Sequence, residues 1–183
     1  MSLSCAKPDM DAAERASLLG RLLASRDTFT ASLAQVSEAQ ARFTPSPERW
    51  SIAEIAEHVA VAEHGMYRLI TAHFQALDQP RFGRENEILE RFGLDRTNPW
   101  VAPERVRPKG RYASLSEAVR QFASNRDRTI GFVRDCQDDL RARVVNHAFG
   151  EITGQECLAF LIVHPLRHLD QIRELQESPG YPE

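Results

Sequence analysis

The sequence predicts an all-α protein, a four-helix bundle with one long crossover between its second and third helices. Three observations carry this. Four short segments have the form of a helix-capping box, a cap oxygen followed three residues later by Glu. Each is followed by apolar residues at helical spacing. The one long stretch without such spacing is rich in Pro and Gly and lies between the second and third runs, which is where a bundle crossover belongs.

Asp11-Ala12-Ala13-Glu14 opens the first run. Leu18, Leu19, Leu22, Leu23, Phe29, Leu33 and Val36 then predict a helix over about 11–40. Thr44-Pro45-Ser46-Pro47 ends it, since proline lacks the amide donor that a helix needs. Ser51-Ile52-Ala53-Glu54 opens the second run, with Ile55, Ala56, Val59, Ala62, Met66, Leu69 and Ile70 predicting a helix over about 51–78. Gly65 costs that helix about 1 kcal/mol relative to Ala and suggests close packing.

Residues 79–113 contain Pro80, Gly83, Gly93, Pro99, Pro103, Pro108 and Gly110. A short helix over Glu85–Phe92 fits inside this crossover, which either walls a site or makes a surface excursion. Ser114-Leu115-Ser116-Glu117 starts the third helix, about 115–140, with Val119, Phe122, Ile130 and Val133 inside. Arg141–Ile152 reads as a connector with Gly150. Thr153-Gly154-Gln155-Glu156 caps the fourth helix, which continues through Leu158, Leu161, Leu169, Ile172 and Leu175 to Ser178-Pro179-Gly180. Cys157–Val163 is an unbroken apolar run followed by Pro165, so periodicity alone also allows a buried strand. The preceding cap, and the lack of a convincing strand partner elsewhere, favour one helix, kinked near Pro165.

The chain has 183 residues and is 42% hydrophobic and 27% charged, which fits one domain over 1–183 with a sizeable core. Its net charge of −3 argues against nucleic-acid binding. All but two of the 23 basic residues are arginine, Lys7 and Lys109 being the exceptions. No run approaches a membrane span and no apolar leader is present, so no membrane partner is expected. Cys5, Cys136 and Cys157 show no paired spacing, which points to a reducing cytoplasm.

Chemistry is concentrated in the histidines. His164 and His168 are four residues apart on the fourth helix, with Cβ atoms about 5–6 Å apart on one face. Two imidazoles so placed can converge on a metal, although most such pairs are satisfied without one. His58, on the second helix between Ile55 and Ala62, also turns at least partly inward. Three buried imidazoles need partners for every ring nitrogen, and a divalent cation takes one lone pair from each. Three protein ligands leave a position open, as in a catalytic site.

Three ordered motifs resemble the DinB-like superfamily of bacterial four-helix-bundle metal proteins. They are Trp50-Ser51-Ile52-Ala53-Glu54-Ile55-Ala56-Glu57-His58, His147-Ala148-Phe149-Gly150-Glu151-Ile152-Thr153, and His164-Pro165-Leu166-Arg167-His168-Leu169-Asp170-Gln171-Ile172. The resemblance implies an up-down-down-up bundle with nickel or zinc held by His58, His164 and His168. Pro165, between two of these positions, departs from the family pattern. Characterised relatives resemble transferases or isomerases that use a low-molecular-weight thiol such as bacillithiol or mycothiol, and others resemble metal-dependent hydrolases. The expected function is therefore metal-dependent thiol transfer or hydrolysis of a small-molecule substrate.

Glu57, Glu54, Gln171 and Asp170 are candidates to support the ligands or move protons. The helix cap also explains Glu54, and an exposed face would explain Glu57 or Asp170. Asn125 and Arg128 on the third helix are candidates to line a substrate pocket, and Trp50 reads as a core anchor. Arg105, Arg107, Lys109 and Arg111 fit either an anion site or a solvated basic loop. A non-catalytic metal or small-molecule binder, or a homodimeric interaction bundle using Ser32–Gln40 and the Phe-containing crossover, would carry the same residues. Stable metal with no activity would mark the former, and a metal-free protein indifferent to chelation the latter.

Overall fold

A computed structural model describes residues 10–82, 84–89, 101–147 and 150–183. Four long helices form the bundle: α1 (Ala12–Leu33), α3 (Ile52–Ala72), α5 (Leu115–Asp135) and α6 (Gly154–Gln176). Short helices α2 (Glu38–Arg42) and α4 (Glu85–Leu89) lie in the connections. The side chains of Asp11, Ser51, Ser114 and Thr153 cap the four long helices.

Paired residues fix the directions. Glu63 meets Arg126 and Thr129 while the Ala60 carbonyl meets Asn125, so α3 and α5 run parallel. Phe29 packs on Phe122 while Arg15 reaches the carbonyls of Val133 and Cys136, so α1 is antiparallel to α5. Arg49 pairs with Glu174 ahead of α3, and His58 meets His164, so α6 is antiparallel to α3. The order is up-down-down-up: α3 and α5 pack side by side, α1 packs on α5 and α6, and α6 packs on α3 and α1.

Several boundaries differ from expectation. The first helix stops at Leu33, because Ser37 and Gln40 form a separate capping box that starts α2. That box is also visible in the sequence as Ser37-Glu38-Ala39-Gln40. α3 ends at Ala72, since Gln75–Ala76 become a strand, β1. The expected connector after α5 holds two more strands, β2 (Arg143–His147) and β3 (Gly150–Thr153). The three make an antiparallel sheet of order β1-β2-β3, with Gln75 opposite Val144 and Val144 opposite Thr153. The reading of a chain without strands is thus corrected. Val145 and Ile152, opposite one another, give the sheet a buried apolar side that joins the core, and Val144 is buried on the other face. The run Cys157–Val163 is helical, inside α6. The crossover helix spans Glu85–Leu89, and the remainder of the expected Glu85–Phe92 lies outside the described residues. Gly65 does not mark close packing, as an added Cβ would meet nothing within 4 Å. No helix among the described residues is long and apolar enough to cross a membrane.

The buried core has two apolar halves. One contains Leu18, Leu22, Met66, Ile70, Val133, Leu158 and Leu161. The other contains Phe29, Ile55, Val59, Leu115, Phe122, Leu169 and Ile172. Along each helix the polar residues Ser25, Glu63, Asn125, Arg126, Thr129 and His164 fall between these sets. A buried polar belt therefore crosses the middle of the bundle. Burying so many polar groups is unfavourable unless each finds a partner.

Candidate metal centre

His58 enters this belt from α3, and His164 and His168 enter it from α6. Both the His58 and the His168 Nε2 atoms lie 3.2 Å from His164 Nε2. One ligand atom from each of the three lies within 4.8 Å of the others. His58 and His164 are buried and His168 is half-buried, so the cluster reaches solvent on the His168 side.

The outer nitrogens define the inner ones. His58 Nδ1 donates to the Val106 carbonyl at 2.8 Å. His168 Nδ1 donates to Gln171 Oε1 at 2.9 Å. A neutral imidazole has one N–H, so both rings present a bare Nε2 lone pair to His164. His164 Nε2 has at most one proton to offer two acceptors. A cation with ligand distances of about 2.0–2.1 Å would hold tetrahedral nitrogens about 3.3 Å apart, close to the spacing found. Donor type, the tautomers of His58 and His168, and the two 3.2 Å separations thus fit a divalent cation. Burial pushes His58 and His164 below the ordinary histidine pKa; for His164 the two neighbouring histidines and then Arg126 and Arg167 add to the effect. Both are neutral at pH 7 and need lose no proton to act as ligands.

Aromatic rings enclose the group. The Trp50 ring lies 5.0 Å from that of His58, so this residue packs directly on a candidate ligand as well as anchoring the start of α3. The Phe160 ring lies 4.7 Å from that of His164, with His147 of β2 beyond it at 6.2 Å.

Glu57 is buried, contrary to the exposed-face expectation. Its oxygens accept the amides of Lys109 (2.7 Å), Gly110 (2.9 Å) and Arg111 (3.1 Å), and a guanidinium N–H of Arg111 (2.6 Å). Three successive amides can turn toward one carboxylate because Gly110 takes φ +70°, a left-handed conformation that glycine adopts without strain. Burial alone would raise the carboxyl pKa, but these donors hold it below the usual carboxylate value. With both oxygens engaged, Glu57 is an anchor for the crossover. It fastens the segment that brings Val106 to His58.

Other expected residues are placed elsewhere. Gln171 touches His168. The Asn125 amide donates to the Ala60 carbonyl and accepts from Gln121. Arg128 is exposed, because the inward face of α5 carries Phe122, Asn125, Arg126, Thr129 and Val133. Glu54 serves the cap of α3, and Asp170 pairs with Arg173 at the surface. Arg107 and Lys109 pair with Glu104, while Arg111 turns inward to Glu57, so the alternating basic residues share no single face. Arg126, which the sequence reading passed over, is a large, fully buried side chain of the same belt.

Bundle order and histidine cluster together define a helical protein with a largely buried group of three imidazoles suited to a metal ion. The chain belongs to the DinB superfamily, whose family profile matches residues 21–172. It is similar to the uncharacterised protein YuaE of Bacillus subtilis, 27% identical over 135 residues that cover 73% of this chain and 82% of YuaE. In structure it is similar to YfiT of Bacillus subtilis, with a TM-score of 0.61 and 13% identity over 95% of this chain and 92% of YfiT. YfiT is described as a probable metal-dependent hydrolase with an unusual four-helix bundle topology. At this identity the likeness concerns the fold alone.

Proposed function

We propose that this protein is a metal-dependent enzyme of small-molecule chemistry, a hydrolase or a thiol S-transferase, with nickel or zinc held by His58, His164 and His168. The observation that carries the reading is the pair of outward hydrogen bonds. They leave the Nε2 lone pairs of His58 and His168 facing a third imidazole at 3.2 Å. A divalent ion bound to three neutral ligands keeps its full charge, and would supply Lewis acidity that lowers the pKa of a coordinated water or thiol.

The chain's own contributions follow from the geometry. Gln171 and the Val106 carbonyl hold two rings in the ligating tautomer. Trp50 and Phe160 exclude water from one side. His168 is the most accessible of the three, so a small-molecule substrate enters there. The buried Cys157 does not supply the thiol, because burial, and then the nearby Glu156, raise its pKa. A thiol cosubstrate would have to come from solution. The metal-dependent hydrolase description of YfiT supports the hydrolytic form of this reading.

The test is the metal content of protein purified without a histidine tag, beside that of His168→Ala. One divalent ion per chain in the wild type, lost in the variant, is expected. A wild type that takes up no divalent ion even after soaking contradicts the proposal. Turnover with a panel of esters, amides and thiol–electrophile pairs then separates hydrolysis from transfer.

A further inference from the structure

The belt contains a second polar unit that ligand chemistry does not explain. Arg126 and Glu63 are 0% and 2% exposed in their side chains. All five guanidinium N–H groups are used. Nε and Nη2 donate to the two oxygens of Glu63 at 2.8 Å each. Nη1 donates to Ser25 Oγ at 2.6 Å and to the Leu22 carbonyl at 3.1 Å. The last, on Nη2, goes to the Leu161 carbonyl at 2.6 Å. Glu63 also accepts from Thr129 Oγ1 at 2.8 Å. One guanidinium thus ties α1, α3, α5 and α6 together at a single level.

The Leu161 carbonyl stands four residues before Pro165, and an ordinary helix would satisfy it from the amide of residue 165. Proline has no such amide, and its ring crowds that same carbonyl. Pro165 directly follows His164 and lies between the two α6 histidines. Yet α6 continues unbroken from Gly154 to Gln176. A well-packed apolar pair is often as stabilising as a buried ion pair, so fold stability does not by itself require Arg126 here.

We infer that Arg126, braced by Glu63, is a positioning residue for the histidine cluster: it takes up the carbonyl freed by Pro165 and so sets the direction in which α6 presents His164 and His168. This rests on the metal-site reading for its consequence, but the geometry it asserts is a property of the metal-free chain.

The experiment compares wild type, Arg126→Met/Glu63→Met, Pro165→Ala, and the triple variant. Co2+ titration and the Co2+ d–d spectrum are recorded for each, with imidazole 1H–15N correlations of the metal-free proteins. Expected for the double variant are Co2+ affinity at least tenfold weaker, an altered d–d spectrum and displaced His164 resonances. Pro165→Ala, which returns an amide to the Leu161 carbonyl, is expected to restore all three toward wild type in the triple variant. A folded double variant with wild-type spectra and affinity overturns the inference, as does a loss that the alanine does not repair. Should the double variant not fold, Arg126→Lys decides: displaced His164 and His168 resonances that Pro165→Ala returns toward wild type support the inference, and unmoved or unrepaired ones overturn it. Absence of Co2+ binding by the wild type would defeat the metal reading, while the imidazole spectra would still decide this one.

Discussion

The Val106 carbonyl accepts the Nδ1 proton of His58 at 2.8 Å, joining the crossover to a candidate ligand 48 residues earlier in the chain. Val106 is held there by the next few residues, where Glu57 gathers the amides of 109–111. The crossover is therefore part of the site, fastened by the residue that precedes the histidine it orients.

Glu57→Gln should loosen this fastening. A carboxamide offers one acceptor oxygen and turns an N–H toward donors, leaving buried amides unpaired at about 1–3 kcal/mol. We expect a melting temperature lower by several degrees and weaker metal binding, from thermal unfolding and Co2+ titration. An unchanged variant would show that the anchor has no bearing on His58.

Gln171→Ala removes the acceptor that fixes the His168 tautomer. Loss of such a partner typically costs about 10–100-fold in metal affinity. Gln171→Glu, which keeps an acceptor, should bind at least as tightly as wild type. Competition with a chromophoric chelator measures both.

How far the sequence discloses this arrangement depends on range. Helix starts are written locally, and Asp11, Ser51, Ser114 and Thr153 all cap as expected. The break at Ser37 is equally local but is masked by apolar spacing that continues through Val36. The strands are short, and Gln75–Ala76 acquires meaning only when paired with Arg143 and Val144. His58 and the α6 pair are suggested by face and spacing, whereas their level along the bundle comes from packing. Glu57 was misjudged because its partners are backbone amides more than 50 residues away. Arg126 was missed because arginine at an inward position is so often a surface residue, and the carbonyl that calls for it lies on another helix.

Acidification should destabilise the fold. Burial first, and then the charge of Arg105, lower the His147 pKa to about 4. His58 and His164 are also lowered. The unfolded chain takes up protons near the ordinary histidine value of 6.5, where the folded chain does not. Stability is thus fully present above pH 6.5 and is lost as pH falls toward 4. Urea midpoints across this range should fall with pH, and His147→Gln should reduce the slope. A midpoint independent of pH between 6.5 and 4 would contradict this.

Gly65→Ala should stabilise the protein. The site is helical and open to a Cβ, so the gain is the difference in helix propensity, about 0.5–1 kcal/mol. Chemical denaturation measures it, and a destabilised variant would reveal a neighbour that the geometry does not show.

The most direct test of the metal centre is anomalous scattering from crystals of untagged protein grown or soaked with zinc or nickel. The account predicts one peak about 2.0–2.1 Å from the Nε2 atoms of His58, His164 and His168, with at least one further position open to solvent. Crystals that show no peak there, while the three rings keep their mutual hydrogen bonds, would contradict it.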